Sequence, residues 1–167
     1  MGNNTSTKIS SHTVKNFDPV RYSGEWVEAA RYPTLSYEKD CPNARAVYKW
    51  DIAKQLLLVE NICLDVNGNK IRSRLGQARI PNMSDPGKLL LKFTDGGPSD
   101  FGEAPYWVHY TDYDKYALVG GPSGKFLWLL SRSPVITKAD ARALMKVVQQ
   151  LGYDPDKLLM NVGTVLP

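Results

Sequence analysis

Few residues of this sequence have the types and spacing that catalysis or metal binding requires. The spacing of Cys41 and Cys63 matches no zinc motif, and two histidines are too few for a histidine-built metal site. Residues 120–125 imitate a phosphate-binding loop, but one spacer residue is missing and Phe126 stands where Ser or Thr is needed. A thiolate of Cys41 or Cys63, activated by His109, is the nucleophile that the chain could offer. We therefore expect no metal, no cofactor and no catalytic residue, with cysteine chemistry as the alternative.

Length and composition are those of one soluble globular domain. The chain has 167 residues, of which 43% are hydrophobic and 23% charged. No apolar run approaches the roughly 18 residues that would cross a bilayer. A net charge of +4 permits attraction to an anionic surface but does not diagnose one. We expect no nucleic-acid partner, and either a monomer or a homodimer.

The N-terminal residues bear on location. Residues 1–14 are polar and lack periodicity, which predicts a flexible tail before a domain over residues 15–167. No apolar segment typical of a secretory signal is present. Gly2 and Ser6 fit the N-myristoylation pattern, although a chance match is the alternative. The expected location is cytoplasmic, or membrane-associated through acylation of Gly2.

Eight strand-like segments follow one another between short turns. They cover residues 24–32, 44–50, 55–65, 71–80, 88–93, 104–112, 116–121 and 125–132. Asn67 and Gly68 separate the third segment from the fourth and predict a tight hairpin in which both residues have positive φ. Short connections of this kind predict an all-β fold, an eight-stranded antiparallel up-and-down β-barrel.

The C-terminal part has a helical pattern. Thr137 is the predicted N-cap, apolar residues recur at helical spacing from Ala143 to Leu151, and Gly152 ends the helix. Residues 158–162 predict a short final strand. Because the helix has one apolar stripe, we expect it to pack on the outer wall of the barrel.

Alternation along the strands predicts which side chains face the barrel interior. Lys88 and Lys92 should face water, which turns Leu89, Leu91 and Phe93 inward. Glu28 shares the parity of Trp26 and would need an arginine partner or a proton inside the barrel. The predicted inward set also includes Ala44, Ala46, Tyr48, Trp107 and His109. An eight-stranded barrel holds either packed side chains or one small ligand, so both remain open.

Three segments of the chain resemble the conserved regions of lipocalins. The first contains Gly24-Glu25-Trp26, and the second is Thr111-Asp112-Tyr113. The third covers residues 127–134 and contains Arg132. They occur in the family's order, and the likeness extends over residues 16–162. Within the family, the chain is most similar to the group of apolipoprotein D, bacterial outer-membrane lipocalin and temperature-induced lipocalin.

The resemblance implies a structural role for these signature residues. In the family, the tryptophan and the arginine meet at the closed end of the barrel, so Trp26 and Arg132 are expected to form a cation–π pair. The other end is then open to a ligand. The residues with this structural role are Gly24, Trp26, Thr111, Asp112, Tyr113 and Arg132.

The resemblance also implies a set of ligand contacts. Trp107 and Tyr48 match a pocket tryptophan and a pocket tyrosine of this group. Asn61 is added from strand alternation, since it faces inward if Glu60 faces outward and would then hold a polar head. Leu35 and Tyr37 lie in the loop after the first strand and would form an apolar lid. The candidate ligand-binding residues are Trp107, Tyr48, His109, Asn61, Leu89, Leu91, Phe93, Tyr37 and Leu35.

The cysteines depart from one member of the group. Apolipoprotein D pairs a cysteine at the position of Cys41 with one near its C-terminus, where this chain has none. We expect two free thiols, with a bridge between Cys41 and Cys63 as the alternative. The function expected from the resemblance is the binding and transport or sequestration of a small hydrophobic ligand, most simply a fatty acid or lysophospholipid. A membrane-surface scaffold and a cysteine-dependent isomerase are the alternatives.

Overall fold

The computed structural model describes residues 8–33, 40–96 and 102–161. A four-residue helix, α1 (Pro19–Tyr22), precedes the first strand, and the Asp18 carboxylate caps it. The eight long strands are β1 (Gly24–Arg31), β2 (Asn43–Asp51), β3 (Leu56–Leu64), β4 (Lys70–Arg79), β5 (Lys88–Phe93), β6 (Ala104–Thr111), β7 (Tyr116–Gly120) and β8 (Leu127–Ser131). After them come α2 (Lys138–Gln150), a 3-10 turn (Pro155–Lys157) and β9 (Leu159–Met160). Each predicted strand is present, whereas α1 was not predicted.

The eight long strands form a closed antiparallel ring. Consecutive strands pair from β1 to β8, and β1 pairs with both β2 and β8. Trp26 lies opposite Ala46 on one side of β1, and Val27 lies opposite Ser131 on the other. β9 adds to the far end of β1, where Leu159 lies opposite Arg31. The predicted barrel is confirmed.

Helix α2 packs on the outside of the ring, as predicted. The Thr137 hydroxyl accepts a hydrogen bond from the Asp140 amide at 3.1 Å and caps the helix. Gly152, with φ of 96°, follows its end. Leu144 and Val148 are buried in a cluster with the outer side chains of three strands, which include Ala30, Leu118, Leu127 and Leu129. Among the described residues, no helix combines the length and apolar character needed to cross a membrane.

The hairpin between β3 and β4 differs from the prediction. Gly68 has a φ of 85°, but Asn67 is not in the positive-φ region. The Asp65 carboxylate accepts from the amides of Asn67 and Asn69, and the Asp65 amide donates to the Asn69 carbonyl. These bonds define a three-residue loop with glycine at its last position rather than a two-residue turn.

Residues 8–14 lie along the outside of the barrel. The Ser10 amide donates to the Leu151 carbonyl at 2.8 Å, and the Val14 amide donates to the Val108 carbonyl at 3.0 Å. The buried Thr13 hydroxyl donates to Asp85 at 2.8 Å. The second half of the predicted flexible tail therefore has defined contacts with the barrel.

Cys41 and Cys63 form a disulfide, so the expectation of two free thiols is wrong. The two residues meet because β2 pairs with β3, with Ala44 directly opposite Cys63. A bridged sulfur is not a thiolate, and so the nucleophile of the isomerase alternative is absent while the bridge is intact.

Candidate functional site: a cavity inside the barrel

Arg132 closes one end of the barrel. Its guanidinium carbon lies 3.7 Å from the centroid of the Trp26 ring, which is the predicted cation–π contact. The same group donates to the carbonyls of Glu25 at 2.9 Å, Arg21 at 3.0 Å and Tyr113 at 3.0 Å. One side chain thereby joins the segment around α1 to the turn between β6 and β7.

The other signature residues shape the backbone at this end. Gly24 has a φ of 106°, and a Cβ atom there would lie 3.1 Å from Nη1 of Arg132. In the turn after β6, the Thr111 hydroxyl donates to the Tyr116 carbonyl at 2.9 Å, and the Asp112 carboxylate accepts from the Tyr116 amide at 2.9 Å. These contacts hold the fold rather than a ligand.

The other end of the barrel contains a cavity of about 560 Å³. This volume falls within the range of about 300–1,000 Å³ that is usual for small-molecule sites. The lumen is therefore open, and a barrel filled by its own side chains is excluded. Its apolar walls are formed by Ala46, Leu91, Phe93, Val119, Phe126, Trp128 and Leu130.

Polar residues of the cavity cluster on neighbouring strands. Glu28 on β1 and Asn61 on β3 both line it, with Ala46 of β2 opposite Asn61. Glu28 forms an ion pair of 3.0 Å with Arg31, and the two side chains are only 10% and 9% exposed. Arg31 also donates to the Cys41 carbonyl at 3.1 Å, next to the disulfide. The arginine partner required by an inward Glu28 is thus present.

Three tyrosines form the floor between the closed-end core and the cavity. Tyr48 and Tyr106 belong to both, whereas Tyr22 is completely buried beneath them. The hydroxyl oxygens of Tyr22 and Tyr106 are 2.6 Å apart, and those of Tyr106 and Tyr48 are 2.7 Å apart. Burial raises the pKa of Tyr48 to about 12 and raises the pKa values of Tyr22 and Tyr106 well above their usual range.

Four of the predicted ligand-binding residues line the cavity, namely Tyr48, Asn61, Leu91 and Phe93. Leu89 faces inward as predicted, but it lies in the closed-end core below the cavity. Leu35 and Tyr37, the predicted lid, lie outside the described residues.

The predicted orientation of Trp107 and His109 is wrong, because both are on the outer face of β6. Leu89 pairs with Tyr106, which turns Tyr106 inward and leaves Trp107 opposite Lys88 outside, with the Lys88 Nζ 4.7 Å from the indole centroid. The His109 Nε2 atom lies 2.9 Å from the Tyr153 hydroxyl. Its Nδ1 atom lies 2.7 Å from a backbone oxygen of the N-terminal segment. Neither aromatic ring contributes to the cavity.

Sequence reasoning missed the wall formed by β7 and β8. Trp128 and Leu130 line the cavity, together with Val119 from β7. Alternation did not identify them, because Leu127 and Leu129 on the outer face of β8 are as apolar as Trp128 and Leu130 on the inner face. Within residues 8–33, 40–96 and 102–161, no group of three or more His, Cys, Asp or Glu side chains could hold a metal ion.

Comparison with known proteins agrees with this architecture. The family model described as "Lipocalin-like domain" matches residues 17–162. The chain belongs to the lipocalin family, whose members bind small hydrophobic ligands. Its homologues are lipocalin binding and transport proteins.

Particular relatives lie at about 30% identity. Chloroplastic lipocalin of Arabidopsis thaliana is 32% identical over 87% of this chain, which spans about half (46%) of that relative. Apolipoprotein D of Macaca fascicularis is 30% identical over 88% of this chain and 77% of its own length. The structure of insecticyanin from Manduca sexta is similar with a TM-score of 0.72 at 26% identity, over 91% of this chain and 84% of insecticyanin.

Proposed function

We propose that this protein binds a fatty acid or lysophospholipid in the cavity and carries or sequesters it. The observation that carries this proposal is a cavity of about 560 Å³ with mostly apolar walls and a sealed floor. An acyl chain fits such walls without a specific polar contact, because apolar burial is not directional.

The energetics of burial support micromolar or tighter affinity. Each buried methylene contributes about 0.8 kcal/mol, so a sixteen-carbon chain gives roughly 12 kcal/mol before the costs of association and ordering. A charged head loses its hydration when it is buried, so the chain enters first and the head stays at the open end. Ser123 and the ion-paired Glu103 line the cavity there and offer polar contacts.

A larger side chain inside the cavity tests the proposal. Ala46→Phe adds a ring to the cavity wall next to the floor, which removes the space for the end of the acyl chain. We expect loss of hexadecanoic acid and lysophosphatidylcholine binding in isothermal titration calorimetry. Native mass spectrometry of the wild-type protein from its own host should also show a bound lipid of either class.

Ala53→Phe is the matched control. Ala53 lies in the exposed turn between β2 and β3, at the closed end and away from the cavity. This variant should bind both lipids like the wild type, and both variants should melt as folded proteins. Unchanged lipid affinity in a folded Ala46→Phe variant would count against the cavity as the binding site.

We infer a second, separate property from the pattern at Gly2 and Ser6, which is attachment to membranes through a myristoyl group. One acyl chain gives marginal and reversible membrane binding. The mass of the N-terminal peptide from the native protein tests this proposal. An unmodified or differently modified Gly2 would reject it and would leave the cavity proposal intact.

A further inference from the structure

The first residues that the structure describes lie beside the open end of the barrel. Gly124 belongs to the loop between β7 and β8 (residues 121–126, the β7–β8 loop), at the end away from Arg132. A Cβ atom at Gly124 would lie only 2.8 Å from Cγ1 of Ile9, so the two residues are in direct contact. From Ile9 the chain follows the outer wall towards the closed end, where Phe17 is buried in the core. The segment that precedes Ile9 is therefore joined to the barrel at the β7–β8 loop.

The same loop forms part of the cavity entrance. The Gly124 amide donates to the Gly121 carbonyl at 3.4 Å, which links the residue that Ile9 touches to one that lines the cavity. The contact between Ile9 and Gly124 therefore lies at the entrance of the cavity. The cavity-lining residues of this loop are Gly121, Pro122, Ser123 and Phe126.

The length of the N-terminal segment sets its reach. Gly2 precedes Lys8 by six residues. A fully extended chain spans at most about 3.5 Å per residue, so Gly2 lies within about 20 Å of Lys8. Because Lys8 adjoins the residue that contacts the β7–β8 loop, a group on the Gly2 nitrogen can reach the cavity entrance of the same molecule.

The charge of the cavity favours a neutral acyl group. Among the described residues that line it, Glu28 and Glu103 are acidic and none is basic. Arg31 and Arg79 are engaged in ion pairs with these two carboxylates. A free fatty acid brings a further carboxylate into this environment, where like charges repel each other. A myristoyl group on Gly2 is joined by an uncharged amide and avoids this repulsion.

We propose that a myristoyl group on Gly2 occupies the barrel cavity of its own molecule. The inference rests on the proposed function, because it needs both the lipid site and the acylation of Gly2. The apolar walls that suit a free acyl chain suit the attached one equally. A short tether gives an effective concentration of about a millimolar, well above a micromolar Kd, so the cavity holds the attached chain. A free lipid that takes the cavity then releases this chain to a membrane.

A direct test observes the acyl chain itself and needs no variant. The full chain is produced together with an N-myristoyltransferase and carbon-13-labelled tetradecanoic acid, and the product is studied by nuclear magnetic resonance. Nuclear Overhauser effects should connect the labelled chain to the methyl groups of Leu91 and Val119, which line the cavity. A labelled chain without any such contact would contradict the inference.

Binding to vesicles of phosphatidylcholine provides an independent readout. Acylated Ala46→Phe has a filled cavity, so its myristoyl group is free, and we expect at least about fivefold more bound protein than for the acylated wild type. Acylated Ala53→Phe is the matched control and should bind like the acylated wild type. Unacylated Gly2→Ala protein measures the background. Equal vesicle binding by wild type and Ala46→Phe, both acylated and folded, would overturn the inference.

The titration of free lipid separates this inference from the proposed function. The Kd for hexadecanoic acid should be at least about tenfold higher for the acylated wild type than for the unacylated one, because the attached chain competes. If both forms bind the acid equally, the inference is wrong and the lipid proposal stands. If the unacylated protein binds neither hexadecanoic acid nor lysophosphatidylcholine while the labelled chain contacts the cavity, the lipid proposal is wrong and the inference stands.

Two further outcomes concern where the acyl chain comes from and where it goes. A dimer that sedimentation equilibrium detects only after acylation would place the chain in the cavity of a second copy, against the inference. Native protein without a myristoyl group on Gly2 would also overturn it and would leave the lipid site untouched.

Discussion

At the scale of single residues, register decides which aromatic side chains meet a ligand. Trp107 and Trp128 are both half-buried tryptophans on barrel strands. Trp128 lines the cavity, whereas Trp107 lies outside under the Lys88 ammonium group. The size and apolar character of the two rings are the same, so only their position along the strand separates their roles.

The two tryptophans provide a matched pair of substitutions. Trp128→Ala removes an apolar wall, and we expect the Kd for hexadecanoic acid to rise at least about tenfold. Trp107→Ala removes the same ring outside the cavity and should change that Kd by no more than about twofold. Calorimetric titration measures both. A larger loss of affinity in Trp107→Ala than in Trp128→Ala would contradict the assignment.

The sequence predicted the direction of some cavity residues and failed for others. Leu91 and Phe93 were placed correctly because Lys88 and Lys92 mark the solvent-facing side of β5. Trp107 was misplaced because no charged residue on β6 marks its outer face, and an aromatic ring packs equally well on either side. The pairing of Leu89 with Tyr106 resolves this choice, and pairing is a long-range property that one strand does not contain.

At the scale of elements, the closed end is a junction of three segments that are distant in sequence. Arg132 follows β8, Trp26 lies on β1, and Tyr113 lies in the turn after β6. Trp26 has no exposed surface, and its indole nitrogen donates to the Tyr22 carbonyl at 2.9 Å. Loss of this side chain affects packing, a hydrogen bond and the support of the arginine together.

Truncation of this ring should therefore destabilise the fold. We expect Trp26→Ala to lower the free energy of unfolding by about 3–5 kcal/mol, the range for large aromatic truncations in a core. Denaturant titration followed by circular dichroism measures the change. Trp107→Ala serves as the control, because its ring is partly exposed, and should cost clearly less. Normal stability with lost lipid binding in Trp26→Ala would contradict the structural role.

The order and type of the elements were predictable from the sequence, whereas the disulfide and the buried ion pair were not. Alternating strands and the cap at Thr137 are local signals, and the structure contains both of them. The disulfide is not local, because Cys41 and Cys63 become neighbours only when β2 pairs with β3. The Glu28–Arg31 pair lies within one strand, but it occurs beside a register irregularity of β1 between Glu28 and Ala30 that regular alternation does not predict, so the sequence indicated only an arginine partner or a proton for Glu28.

At the scale of the whole molecule, His109 joins the N-terminal segment and the segment after α2 to the barrel wall. It lies between the His12 carbonyl and the Tyr153 hydroxyl, and it is 1% exposed. Burial lowers the pKa of His109 below its usual 6.5, the His12 carbonyl opposes this shift, and the positive charge of Lys88 adds to it.

The lowered pKa of His109 predicts a pH dependence of stability. The unfolded chain binds a proton near pH 6.5 and the folded chain at a lower pH, so the free energy of unfolding falls as the pH is lowered through this window. Urea titrations at about pH 7 and about pH 5 should show a larger loss for wild type than for His109→Gln. His12→Gln is the control and should keep most of the wild-type loss, because the charge of His12 contributes less to the lowered pKa of His109 than burial does. Equal losses in wild type and His109→Gln would contradict the prediction.

The closed ring also governs how one copy of the chain meets another. An unpaired strand offers its amides and carbonyls to a foreign strand, which is how many sheet proteins aggregate. Here β1 is joined to β2 and to β8 at once, so the circle of described barrel strands has no terminal member. Intermolecular strand exchange would first have to open this circle. Among the described strands, the sheet edge that remains is the two-residue β9, which is too short to offer a foreign strand more than a few hydrogen bonds.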